Sequence, residues 1–216
     1  STNDGVISAD VTLQTLITVI AAAGGPTYAF IDNPFIGNNT SGGQPGANIR
    51  TAFLYNPDRV DLVEGSIQTV GSQGNGEVFF ETRLPLIADF TFNGETLTVV
   101  NNHFSSKGGS SPLFGVNQPS VGDEADGNGQ EDPTINGSLD QRRAQAQVVN
   151  GFVESVLVNN ADAKVVVLGD FNEFEFISPL EILAGDVLSN LVETLPDTER
   201  YSFIFEGNSQ ALDHIL

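Results

Sequence analysis

The stretch VVVLGDFNEFEF, residues 165–176, narrows the possible folds more than any other part of the chain. Four apolar residues in a row, Val165 to Leu168, read as a strand buried on both faces. Such a strand needs cover on both sides. The apolar run stops at Gly169, where the chain can turn, and Asp170, Phe171 and Asn172 follow at once. With a side-chain period of two, Asp170 and Asn172 project to one side and Phe171 anchors the other. A polar pair just past a strand end is held by the sheet yet faces solvent, so its geometry is fixed. Asp can orient or deprotonate a water, and Asn can donate to a phosphate oxygen without adding negative charge. The same residues also suit a plain turn cap.

The rest of the chain supplies the layers. DVTLQTLITVIAAAGG (10–25) predicts a helix with Asp10 at its N-cap, apolar positions 13, 16, 17 and 20, and Gly24 at its end. Short strands are expected at 28–32, 49–60 and 60–67, with a turn at Asn56-Pro57-Asp58. Asn93-Gly94 lies between two alternating runs, the strongest local hairpin signal there is, so 85–92 and 95–103 are expected to pair antiparallel. Residues 138–160 predict a helix, 178–186 a short one opened by Ser178-Pro179, and 201–207 and 211–216 two closing strands. Hairpins interleaved with a few helices imply an α/β (α+β) domain over 1–216, with two sheets packed face to face and helices outside. Residues 105–140 form a Gly- and acid-rich insertion without hydrophobic period.

Charge restricts the partners. The 216 residues carry 8 Lys and Arg against 28 Asp and Glu, a net charge of -20. The acid is spread along the chain, which favours a folded acidic surface over a disordered tail. A phosphate backbone would be repelled by most of that surface, so a nucleic acid must be met locally, by metal and a few basic residues. There is no Cys, hence neither disulfide nor thiolate site, and no apolar run long enough to span a bilayer. The chain also has no Met, as expected for a processed product or a piece of something longer. Few Lys and Glu, with many Asn, Gly, Thr and Asp, fit an extracellular or cell-surface protein.

A second constellation resembles the first. NNHFSSKGG (101–109) ends another apolar strand with His103, two Ser and Lys107. His103 and His214 are the only histidines, both at strand positions beside Asn or Asp. Phosphodiester hydrolysis needs a proton donor for the leaving oxygen, and imidazole titrates near neutrality. In VGDEADGNGQED (121–132), Asp123, Asp126 and Asp132 with Glu124 and Glu131 offer hard oxygen ligands for calcium, though not at EF-hand spacing. A solvated loop is the other reading.

Taken with their placement, VVVLGDFNEFE, VVNNHFSSKGG, NIRTAFLYNPDRV, DQRRAQAQ and SQALDHIL resemble the endonuclease/exonuclease/phosphatase superfamily, which includes deoxyribonucleases, abasic-site nucleases and sphingomyelinases. More narrowly they are similar to its bacterial secreted nuclease-like branch. The resemblance implies a four-layer sandwich of two mostly antiparallel sheets flanked by helices, with the active site at one edge. It matches Asp170 and Asn172 to the residues that position water and phosphate, and His103 to a strand-end His on the phosphate. Asp213 matches an Asp that orients a catalytic His supplied by a later segment. Lys107 and Arg143 are candidates for phosphate contacts. Mg2+ or Mn2+ is the implied catalytic metal, Ca2+ a possible structural one, and DNA the implied substrate. The family's opening Asn and metal-binding Glu, and its closing Ser-Asp-His, are not matched, so the domain is expected to be incomplete at both ends, inactive alone and prone to self-association through exposed edges. A phosphatase, a phospholipid phosphodiesterase or a non-catalytic calcium-stabilised module are the alternatives.

Overall fold

The computed structural model describes residues 5–38, 49–108, 110, 136–205 and 207–216. The acidic stretch with Asp123, Asp126 and Asp132 lies outside them. The chain separates into two compact units, residues 1–103 with 156–167 and residues 104–155 with 168–216.

In the first unit, helix α1 (Asp10–Ala22) packs through Ile17, with Leu13 and Ile20 half-buried. Leu16, expected on that face, is exposed. The N-cap is Ala9, not Asp10; the Ala9 amide donates to Asp32 Oδ2 at 2.7 Å, and Asp32 is itself held by Arg50. Asp10 enters the first turn, where its charge suits the helix dipole. Strand β1 (Ala29–Ile31) pairs antiparallel with β2 (Phe53–Tyr55). The strands expected over 49–60 and 60–67 are shorter than the pattern suggested, since β2 is followed by the Asn56 turn and then only β3 (Asp61–Leu62) and β4 (Gln68–Thr69). Both pair with β5 (Leu86–Phe92).

The Asn-Gly reading is met in full. β5 and β6 (Glu95–His103) pair antiparallel from Phe92↔Glu95 to Leu86↔Asn101, and Asn93 and Gly94 have φ of 50° and 81°. Both turn residues are left-handed, as a two-residue turn of this twist requires. Leu86, Ile87, Ala88 and Val100 are fully buried. Asn93→Val puts a β-branched side chain at positive φ and is expected to lower stability by about 1–2 kcal/mol. The check is a lower urea midpoint at unchanged slope.

Strand β7 (Lys164–Asp170) begins in this unit, next to β6. It is less enclosed than its sequence suggested, with Val167 fully buried and Val165, Val166 and Leu168 half-buried.

The second unit takes over the end of β7. Leu168 opens there onto a cavity of about 520 Å³ shared with Leu191, Val192, Leu195 and Ile215, which explains its residual exposure. Helix α2 (Leu139–Asn159) turns Leu139, Arg142, Gln145, Ala146, Val149 and Val153 inward. Helix α3 (Ser178–Ala184) starts with Pro179 in its first turn, as read from the sequence. Strand β8 (Phe203–Phe205) pairs with β9 (Asn208–Gln210), a strand that sequence pattern had not indicated, and β10 (Asp213–Ile215) pairs antiparallel with β7. All three residues of β8 are exposed. The described residues hold three α-helices and antiparallel strand pairs, so the class is α+β. No helix among the described residues is long and apolar enough to cross a membrane.

Candidate active site

Asp170 is the last residue of β7, and the residue opposite it on β10 is Asp213. The Asp170 carbonyl accepts from Phe104 N (2.9 Å), while Asp213 N donates to Ser202 Oγ (3.1 Å). Both main chains therefore bond away from each other, and in such pairs the facing side chains stand closest. Two carboxylates in that position destabilise one another, and a cation between them reverses the sign.

The turn after Asp170 is built tightly. Asn172 sits at φ 52°, a left-handed conformation that Asn tolerates better than most residues. Its amide donates to Asp170 Oδ1 (2.8 Å) and its Nδ2 donates to the Phe104 carbonyl (3.0 Å). Phe171 N donates to the Leu212 carbonyl (2.9 Å), and the buried rings of Phe171 and Phe104 meet edge-on at 5.0 Å. Gly169, at φ 134°, occupies a conformation closed to other residues, which lets the strand end here.

Glu173, next in the chain, is fully buried. Its Oε2 accepts from Asn136 Nδ2 (2.8 Å), Arg142 Nη2 (2.8 Å) and Arg142 Nε (3.2 Å), and its Oε1 from Lys107 Nζ. Arg142 is also fully buried and donates through Nη1 to the carbonyls of Ser105 (3.1 Å), Ser106 (3.3 Å) and Gly137 (2.7 Å). A buried carboxylate and a buried guanidinium thus satisfy each other and tie the Asp170 turn to the 104–107 segment and α2. Lys107 brings a second cation to one anion. Burial, opposed by Glu173 and reinforced by Arg142, pulls its pKa down to about 8.

That shift has a testable sign. In the unfolded chain Lys107 titrates at the ordinary lysine value, so between about 8 and that value the unfolded state binds more protons than the folded one. Stability should therefore rise with pH across this window. Urea midpoints at pH 8 to 10 are expected to climb more in the native chain than in Lys107→Met.

His214 is a structural residue. Its ring is buried, Nδ1 faces Asn190 Nδ2 (3.1 Å) and Nε2 faces the Glu173 carbonyl (2.9 Å). Asn190 Oδ1 is taken by Val192 N, which fixes the amide, so Nδ1 must accept and Nε2 must carry the proton. Burial lowers its pKa, opposed by the hydrogen bond to the Glu173 carbonyl, and favours the neutral ring.

Asp170, Asn172, Asp213 and Lys107 thus fall in one unit. His103 ends β6 in the other, half-buried. Arg143 donates from Nε to Ser178 Oγ (2.8 Å) and from Nη1 to Asp140 Oδ1 (3.1 Å), holding α2 to the start of α3. The residues that sequence reading missed are Glu173, Arg142 and Asn136. Arg142 lies seven residues before Val149 and eleven before Val153, on the buried helix face, and a cation in that register demands a buried anion. For a metal, Asp170 and Asp213 suit a hard divalent cation that keeps most of its waters. Among the described residues no group of three or more His, Asp or Glu could hold one.

By sequence, neither a family model nor a curated protein matches the chain. By structure, it is similar to the catalytic domain of human Nocturnin, with a TM-score of 0.55 and 13% identity over 95% of this chain and 65% of that one. It is also similar to D. rerio TDP2 complexed with a single-strand DNA product (TM-score 0.53, 18% identity, 98% of this chain and 67% of that one). The mannosyl-6-phosphatase of Bacteroides thetaiotaomicron follows with TM-score 0.52 and 16% identity, over 94% of this chain and 66% of that one. The chain has the endonuclease/exonuclease/phosphatase fold. At these identities the likeness is one of fold, and the chain spans about two-thirds of the length of these neighbours. On this fold Asp170 and Asn172 stand where β7 leaves the sheet, so function has to be argued from the site itself.

Proposed function

We propose that the chain carries the reacting centre of a metal-assisted phosphoester hydrolase whose substrate is the DNA backbone. The observation that carries this reading is the Asp170/Asp213 pair facing across β7 and β10, with Asn172 locked two residues on. In this reading Asp170 orients the attacking water and accepts its proton as the water closes on phosphorus in line with the leaving oxygen. Asn172 has one amide hydrogen on Phe104 and a second to give to a phosphate oxygen. His103 is kept as the phosphate-contact candidate that the sequence resemblance implies. Asp213 offers its carboxylate to an imidazole from a further segment. Mg2+ or Mn2+, held by Asp170 and Asp213, would supply neutralisation of the phosphate charge. His214 is excluded as the leaving-group acid, because both ring nitrogens are committed. The single-strand DNA product bound by the D. rerio TDP2 neighbour supports a nucleic acid, and the acidic surface supports an extracellular place of action.

The test is nicking of supercoiled plasmid with Mg2+ or Mn2+ by this chain and by one extended at both ends. Phosphomonoesters and phospholipid head groups are run in parallel. Cleavage confined to phosphomonoesters would replace the nuclease reading with a phosphatase, and no hydrolysis of any substrate would end the hydrolase reading.

A further inference from the structure

The segment that supplies Asp170 and Asn172 ends in an aromatic residue that no step above uses. Phe176 is 59% exposed, yet its ring is not loose: it lies parallel to the buried ring of Phe174, with centroids 5.5 Å apart and planes 5° from parallel. Phe174 is fixed by Leu139 and Ile177, and Lys107 Nζ sits 4.9 Å from its centroid. An exposed ring held in this way has little rotamer freedom left to lose when something stacks on it. Phe176 also lines a cavity of about 560 Å³ with Glu175, Leu180, Glu181, Glu193 and Arg200, within the size of small-molecule sites.

The lining decides what kind of group fits. Three carboxylates exclude a phosphate. Arg200 offsets only one of them and is itself shared with Asp197 at 3.3 Å, while its Nε and Nη2 are turned to the Leu195 and Glu193 carbonyls (both 2.9 Å). What suits an aromatic face ringed by carboxylate acceptors is a flat aromatic group bearing N–H donors. Nucleobases with exocyclic amines are of this kind, and carboxylates accept from such amines. We propose that Phe176, six residues beyond Asp170 in the chain, and this cavity form a base-stacking subsite, which holds a nucleobase of a single-stranded substrate. The subsite rests on the hydrolase reading for its substrate but not for its chemistry. Stacking is sequence-tolerant and its attraction comes from the base face, so it adds to binding where a net charge of -20 opposes the phosphates.

The test reads stacking without turnover. A short single strand carrying 2-aminopurine is titrated with the chain, and the fluorescence is compared with Phe176→Ala and Phe176→Tyr. Binding is also compared with a base-free deoxyribose-phosphate strand of equal length and charge. The subsite predicts quenching by the native chain, binding roughly 5- to 150-fold weaker in Phe176→Ala, and recovery in Phe176→Tyr. It also predicts weaker binding of the base-free strand, a comparison that needs no variant. Equal binding of the two strands, or quenching unchanged in Phe176→Ala, overturns it. Quenching without any phosphoester cleavage would leave the subsite standing and remove the hydrolase reading. Cleavage lost in Asp170→Ala, with no stacking, would do the reverse.

Discussion

In the chain extended at both ends, Asp170→Ala is expected to lower phosphodiester cleavage by about 10²–10⁴-fold, the usual worth of a positioned general base. The informative comparison is Asp170→Asn. Asn keeps an Oδ1 that can accept from the Asn172 amide, so the turn survives, but it carries no negative charge and cannot take a proton. If the carboxylate acts on water, Asn is as damaging as Ala. If Asp170 only caps the turn, as its sequence context also permits, Asn restores the rate while Ala does not. Steady-state rates on a plasmid or a short strand, with circular dichroism as the folding control, separate the two.

Glu173→Gln should be the most destabilising conservative change in the second unit. It removes the one anion that serves two cations, Arg142 fully buried and Lys107 half-buried. Breaking a buried pair from one side typically costs 3–5 kcal/mol, because the surviving charge is left without compensation. Against a domain stability on the order of 5–15 kcal/mol, that is a large part of the whole. Arg142→Met should cost a similar amount for the opposite reason, and combining it with Glu173→Gln should cost clearly less than the sum of the two, since each change removes the charge that the other leaves uncompensated. Urea unfolding of the two singles and the double measures this. Additive losses would show that the pair is not coupled.

What the sequence made legible follows from the range of the interactions involved. The β5/β6 hairpin was readable because Asn93-Gly94 specifies its turn within two residues, and both φ values agree. α3 was readable because Ser178-Pro179 opens a helix by local means. α1 was placed correctly but capped one residue too late: Ala9 is the N-cap, Ser8 Oγ accepts from Asp10 N (3.1 Å), and Asp32, 23 residues from Ala9, accepts from Ala9 N. The cross-strand facing of Asp170 and Asp213 depends on a register set by β10, which no local pattern encodes. Glu173 was passed over for the same reason: beside GDFN it looks like one more exposed acid in an acidic chain, and only Arg142 and Lys107, 31 and 66 residues away, make it internal.

Those separations also bear on the order in which the molecule can assemble. During synthesis α2 leaves the ribosome with Arg142 on its apolar face, and 31 residues must follow before Glu173 emerges. Until then the helix cannot dock without burying a lone guanidinium, so its hydrophobic side stays in water. The 104–107 segment waits longer still. Folding of this unit is thereby tied to the arrival of a single carboxylate, and a nascent chain stalled before residue 173 is expected to expose α2 to chaperones and proteases, whereas one released just beyond it can begin to close.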